Sequence, residues 1–276
     1  MRPLRALPAE AARSLALLFT DIDGTITDAD GRVPARVFTV LEACRAAGLA
    51  VVPVTGRPAG WCDLIARTWP VDGVIGENGG LFFRRLPGIG KGLDARMERV
   101  FAQDPAERAR NRQVLEGLAM DVLMRWPGVA LASDQPYRAF DLAIDFCEDV
   151  PRQPESTIDG IVAFLEGAGC RVKVSDIHVN AWFGDFDKAS MCRRVGRDVF
   201  GLDLLGVHAH RAAYFGDSPN DAPLFAAFPV AVGVANVVDL AHRIDPLPAW
   251  VTDGRGCDGF VEGVTHLLAL RATARA

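Results

Sequence analysis

The stretch Leu15 to Thr27, LALLFTDIDGTIT, constrains the fold more than any other part of the chain. It opens on an apolar run too short for a membrane span and suited to a strand buried on both faces. That strand runs directly into Asp21-Ile22-Asp23-Gly24-Thr25. Carboxylates beside a buried strand are unfavourable unless something compensates them. Alternate positions of an extended chain face the same way, so Asp21 and Asp23 share a side, and Gly24 permits a turn closed to other residues. Two acids so placed suit a hard-cation site, a covalent nucleophile with an acid/base helper, or both. Asp-Gly is also an ordinary turn dipeptide, and on this pentapeptide alone a solvated turn stays open. A calcium loop fails on spacing: counted from Asp21, the Gly position holds Ile26 and the closing Glu position holds Arg32.

The residues that follow repeat a strand–helix rhythm. Pro34 suits a helix's first turn, Val37, Val40, Leu41 and Cys44 continue at helical spacing, and Gly48 fits the C-terminal cap. Leu49 to Val54 reads as the next buried strand, ending at Thr55-Gly56-Arg57-Pro58, after which a helix is predicted over 59–68. Val71 to Ile75 reads as a third strand, followed by a turn at Glu77-Asn78-Gly79-Gly80. Such alternation argues for a parallel sheet with right-handed crossovers. Chemistry in such sheets collects at the strands' carboxyl ends, where Asp21, Thr55 and Glu77-Asn78 all fall.

After Arg85 the pattern changes. Pro87 to Gly92 reads as a linker, and a helix is predicted over 94–125. Strands are predicted at 129–134 and 139–146 with a turn at Gln135-Pro136, then a helix at 155–167 and strands at 171–175 and 178–183. This is an α+β module, expected to span 86–185 as an insertion in a first domain formed by 15–85 and 186–276. Lys188 to Phe200 returns as a helix. Ala212 to Phe215 is a short apolar strand ending in Gly216-Asp217-Ser218-Pro219-Asn220-Asp221; Val230 to Val234 is another, and Trp250-Val251 begins a last one. The expected fold class is therefore α/β, a Rossmann-like parallel-sheet core with an inserted α+β domain.

Composition excludes several functions. A net charge of −5, with no dense basic run, argues against a nucleic-acid partner, and no segment has the length of an apolar membrane span. Six cysteines without CxxC spacing read as reduced, mostly buried thiols, the pattern of a cytosolic protein. Residues 1–14 carry Arg but no apolar signal-peptide region and are expected to form a disordered tail. The closing RATARA reads the same way.

Four markers stand in order: DIDGT at 21–25, Thr55 at a strand end, Lys188 at a helix start, and GDSPND at 216–221. Together they resemble the haloacid-dehalogenase-like (HAD) superfamily, mostly magnesium-dependent phosphatases, over nearly the whole chain. The insert between the second and third markers resembles that superfamily's C2-type cap, in its C2B form. Thr55-Gly56-Arg57-Pro58 and Glu77-Asn78-Gly79-Gly80 support that branch, whose members act on phosphorylated sugars and related small phosphate esters.

The resemblance implies roles. Asp21 would attack phosphorus to give an aspartyl-phosphate, and Asp23 would protonate the leaving alkoxide and then activate water. Attack by a carboxylate on a phosphate dianion is repulsive, about 4 kcal/mol for unit charges about 4 Å apart at an effective dielectric near 20. A cation is therefore required, and Mg²⁺ suits the oxygen-rich site. Its implied ligands are Asp21, the Asp23 carbonyl and Asp217, with Asn220 and Asp221 supporting the metal loop. Lys188 would add positive charge, and the Thr55 hydroxyl would donate to a phosphoryl oxygen.

Arg57, Glu77 and Asn78 lie near the expected cleft mouth, although turn chemistry also accounts for them. In the cap, Arg138, Lys173, His178, Asn180 and Trp182 are candidates to touch the leaving group; His178, Asn180 and Trp182 alternate on one strand and should share a face. The function expected is Mg²⁺-dependent hydrolysis of a small phosphorylated metabolite, a sugar phosphate or phosphoglycerate-like ester. A phosphomutase of the phosphomannomutase type and a non-catalytic phosphometabolite sensor are the alternatives.

Overall fold

The computed structural model describes residues 1–86, 96–175 and 177–272. The chain begins with β1 (Arg2–Pro3), α1 (Ala9–Ser14), β2 (Leu17–Thr20), α2 (Ala35–Ala46), β3 (Ala50–Pro53), α3 (Ala59–Thr68), β4 (Val74–Gly76), β5 (Leu81–Arg85) and β6 (Met97–Phe101). Next come α4 (Pro105–Arg125), β7 (Ala130–Leu131), β8 (Leu142–Asp145), α5 (Glu155–Gly167), β9 (Arg171–Val174) and β10 (His178–Trp182). It ends with α6 (Lys188–Phe200), β11 (Ala212–Gly216), α7 (Ala222–Ala227), β12 (Val230–Gly233), β13 (Trp250–Val251) and α8 (Gly256–Ala272).

The core is a parallel sheet in the order β1-β13-β12-β11-β2-β3. Because both faces are covered, its strands read as continuous apolar runs. Leu18, Val51 and Phe215 turn to one face with Val37, Leu41 and Phe260, while Leu17, Phe19, Val52 and Tyr214 turn to the other with Cys192, Val195 and Leu224. The sheet continues through a parallel bridge, Val54 to Ile75, into the antiparallel set β4-β5-β6. A separate antiparallel sheet, β7-β8-β10-β9, packs against α4 and α5 around Leu115, Val122, Ile144, Ile161 and Leu165. The architecture is the expected α/β one, a Rossmann-like core with an α+β insert.

Three expectations are corrected. Residues 1–14 are folded, not a disordered tail: Leu4, Leu7 and Ala12 are buried, the Arg2 amide donates to the Ala249 carbonyl at 2.9 Å, and the Arg2 guanidinium lies over the Trp250 ring. Burying those apolar side chains against α8 outweighs the entropy of ordering so short a segment. The helix predicted over 94–125 begins only at Pro105, where Asp104 caps it by accepting from the Glu107 amide at 2.8 Å. The residues before it form β6, which pairs with β5, so the expected domain boundary at 86 falls inside a hairpin and the chain leaves this sheet only after Phe101. The predicted linker 87–92 and residues 273–276 of the closing stretch lie outside the described residues, whereas Arg271 and Ala272 belong to α8.

Candidate active site

Two adjacent parallel strands, β2 and β11, end at the same level, and their continuations carry Asp21 and Asp217. The Asp21 amide still bonds to the Phe215 carbonyl at 2.8 Å, which fixes the acid at the sheet's carboxyl edge. Immediately after it the chain turns at Gly24, whose φ is +77°. A Cβ there would stand 2.4 Å from Asp217 Oδ2, so both backbone conformation and space demand glycine. The turn is closed by the Gly24 amide donating to Thr27 Oγ1 at 2.8 Å.

Lys188 arrives from the opposite side on the first turn of α6. That helix start is fixed by a reciprocal cap: Asp187 accepts from the Ser190 amide at 2.6 Å, and Ser190 Oγ accepts from the Asp187 amide at 2.9 Å. Gly79 packs against the same start, since a Cβ on it would lie 2.1 Å from the Asp187 carbonyl oxygen. Lys188 Nζ then reaches Asp21 Oδ1 at 2.6 Å, Asp221 Oδ1 at 3.0 Å and Asn220 Oδ1 at 3.4 Å.

Oxygen atoms of Asp21, Asp217 and Asp221 all lie within 4.8 Å of one another. The three acids differ in what they have left to offer. Asp221 is saturated, with Oδ1 accepting from Lys188 and from Tyr214 at 2.5 Å, and Oδ2 from the amides of Asp217 at 3.0 Å and Ser218 at 3.2 Å. It braces the loop. Asp217 is oriented by Thr25 Oγ1, 3.1 Å from Oδ1, and by Asn236 Nδ2, 2.8 Å from Oδ2. Asp21 Oδ1 faces Lys188, and Oδ2 has no hydrogen-bond donor among the described residues.

Electrostatics follow from this crowding. Burial pushes the Asp21 carboxyl well above its ordinary range; Lys188 pulls it back, and Asp221, Asp217 and Asp23 push it up again. Burial also opposes the Lys188 charge, but Asp21 and Asp221 outweigh it and hold the ammonium above its usual range. One lysine therefore leaves the cluster short of positive charge. An all-oxygen, acid-rich set of this kind fits a hard divalent cation.

Asp23 and Arg57 form the cleft wall. Arg57 grips the Asp23 carboxylate with Nη2 at 2.8 Å and Nε at 3.1 Å, and its guanidinium lies over Trp61. Thr55 is fully buried and precedes Gly56, which lines the cleft; its Oγ1 accepts from the Arg57 amide at 3.0 Å. The hydroxyl hydrogen meets no acceptor among the described residues.

The cleft above Asp21 and Asp23 has a volume of about 460 Å³, and Asn78, Lys173, His178, Asn180 and Asn220 also line it. The structure thus brings strands β9 and β10 of the insert to the same cleft as the acids. Trp182 shares the His178 and Asn180 face, but farther along it packs on Phe186 and donates its indole N–H to the Phe186 carbonyl at 3.3 Å. Two expected cleft residues serve elsewhere. Glu77 is fully buried and accepts from the amides of Ala59 and Ala139 at 2.8 Å, Phe140 at 2.6 Å and Asp141 at 3.2 Å. Arg138, although it edges the cleft, is spent on Asp134, Asp141 and the Gly56 carbonyl. The pair ties the 134–141 segment down to the core.

Sequence reasoning gave no role to Thr25, Asn236 or Tyr214. Thr25 stood inside the quoted motif. Asn236 lies just past the carboxyl end of β12, where a polar side chain was worth weighing. Tyr214, in an apolar strand, carried no signal.

Residues 18–85 match the family described as haloacid dehalogenase-like hydrolase. The chain is 31% identical over 254 residues to a phosphoglycolate phosphatase of Natronomonas pharaonis, covering 91% of this chain and 96% of that protein. Its fold is similar to the solved structure of Thermoplasma acidophilum 0175, with a TM-score of 0.70 at 19% identity over 93% of this chain and 99% of the other. It is also similar to a HAD subclass IIB sugar phosphatase, with a TM-score of 0.58 at 17% identity over 91% and 98%.

Proposed function

The chain belongs to the haloacid dehalogenase-like hydrolases and is a phosphatase, and from that premise we propose that it hydrolyses a small phosphorylated metabolite through an aspartyl-phosphate on Asp21. The observation that carries the reading is the asymmetry of Asp21: one carboxylate oxygen held by Lys188, the other open towards a cleft whose wall carries Asp23. A binding protein has no use for an open buried carboxylate beside a second acid.

In the first half-reaction Asp21 Oδ2 bonds to phosphorus as the ester P–O bond breaks, and Asp23 gives its proton to the departing alkoxide. In the second, Asp23 takes a proton from water, whose oxygen bonds to phosphorus; the Asp21–phosphorus bond breaks and inorganic phosphate leaves. Asp23 must turn from Arg57 to do this. Lys188 offsets charge on Asp21 and the phosphoryl oxygens, and the unclaimed Thr55 hydrogen suits a phosphoryl oxygen arriving beside Gly56. Mg²⁺ would be held by Asp21, the Asp23 carbonyl and Asp217, and when bound it neutralises phosphoryl charge during attack.

The unit carrying β7-β8-β10-β9 with α4 and α5 serves as a cap of the C2B kind, running from about Ala102 to Asp185 and closing on the cleft to exclude water. Substrates of this reading are phosphorylated hydroxy acids and sugar phosphates, in line with what the curated and solved relatives are named for. The test is phosphate release from a panel of such esters with Mg²⁺ and with EDTA. Mg²⁺-dependent release that disappears in a folded Asp21→Asn variant supports the reading; appreciable turnover by that variant overturns the nucleophile.

A further inference from the structure

The space between cap and core has a second lobe of about 470 Å³, which reaches Trp182, Asp187 and Lys188. Asn78, Lys173 and Asn220 border both lobes. The cations that line them are nearly all spoken for. Arg57 holds Asp23, Arg138 holds Asp134 and Asp141, Arg171 holds Asp185, and Lys188 holds Asp21 and Asp221. His178 Nε2 lies 2.9 Å from Glu148. Lys173 alone has no acid against it among the described residues.

Its direction is set by strand register. Lys173 stands opposite Asn180 across the β9–β10 ladder, so the two side chains rise from the same face of the cap sheet. Asn180 is on the His178 face, which looks into the cleft over Asp21 and Asp23. The floor of that lobe is acidic, with Asp21, Asp23 and Asp28 all lining it. A leaving group bearing its own negative charge would be repelled there unless an uncommitted cation met it.

We infer that Lys173 is a specificity-determining residue, holding a carboxylate on the leaving group while the phosphoryl end lies against Asp21, so that the preferred substrates are phosphate esters of short hydroxy acids. This rests on the phosphatase reading. The test compares kcat/KM for carboxymethyl phosphate and for 2-hydroxyethyl phosphate, an uncharged ester of the same length, in wild type, Lys173→Met, Lys173→Arg and Lys173→Glu. The acid ester is preferred by wild type and by the arginine variant. In Lys173→Met that preference falls by about tenfold, the equivalent of about 1.4 kcal/mol, mainly through KM. Lys173→Glu shifts preference towards 2-aminoethyl phosphate. Parallel losses on both esters in Lys173→Met, or a wild type that prefers the uncharged ester, overturn the inference and leave the phosphatase reading standing. A wild type that releases phosphate from no ester with Mg²⁺ overturns both.

Discussion

Lys188 Nζ lies 2.6 Å from Asp21 Oδ1 in a site where both side chains are more than nine-tenths buried. The same ammonium reaches Asp221 at 3.0 Å, so removing it strands two buried acids at once. Breaking a buried pair from one side costs about 3–5 kcal/mol. Lys188→Met should lower unfolding free energy in urea by that order and reduce turnover by about a thousandfold. A variant of wild-type stability with activity within tenfold would show that the lysine neither braces the two acids nor assists the chemistry.

Asp23 separates chemically from Asp21. A nucleophile is needed whatever the leaving group, but a proton donor matters only when the departing oxygen is basic. In the first turnover, Asp23→Asn should therefore release the alcohol of alkyl phosphates about a hundredfold or more slowly and p-nitrophenolate, which leaves without help, much less so; steady-state turnover falls on both, because the same acid activates water against the common intermediate. Equal first-turnover losses on both esters would argue that Asp23 is not the proton donor.

What could be read from sequence was the chemistry held by backbone-anchored motifs. Asp21, Lys188 and Asp217 sit at strand or helix ends that apolar periodicity locates, and the structure assembles them within hydrogen-bond or metal-ligand reach. What could not be read depends on partners distant in the chain. Leu4 and Leu7 are too few and too diluted by arginine to announce a folded segment until α8 is in place to cover them. β6 escaped because its residues also fit a helical pattern, although Asp104-Pro105 carried an ordinary helix-start signal. Arg138 and Glu77 looked like cleft residues because polar groups in turns near a site usually are; their buried acid and amide partners come from the folded 134–141 segment.

Gly24 offers a test of the cation site that alters none of the proposed ligand residues themselves. Alanine there must adopt φ near +77°, which costs about 1–2 kcal/mol, and must push Asp217 away from a Cβ built 2.4 Å from its Oδ2. Gly24→Ala should raise the Mg²⁺ concentration for half-maximal activity by about tenfold or more, with part of the rate recovered at saturating metal. An unchanged metal titration would mean that Asp217 does not contribute to cation binding.

Glu77 predicts a pH signature outside the chemistry. Its backbone is left-handed, with φ +45° followed by Asn78 at +54°, a conformation that turns the carboxylate under residues 139–141. Burial and then Asp141 raise its pKa from 4.5 to about 7, even though the amides of Ala139, Phe140 and Ala59 favour the ionised form. The folded chain thus keeps a proton that the unfolded chain has already released, so stability attributable to Glu77 is full below about pH 4.5 and is lost as pH rises through about 7. Glu77→Gln cannot titrate. It will be less stable at every pH for want of an acceptor, but the gap to wild type should narrow across this window by up to roughly 3 kcal/mol. Urea unfolding of both proteins at intervals from pH 4.5 to 7.5 measures the gap; a gap that stays constant would mean that Glu77 is ionised throughout, with its amide ring sufficient to hold the charge.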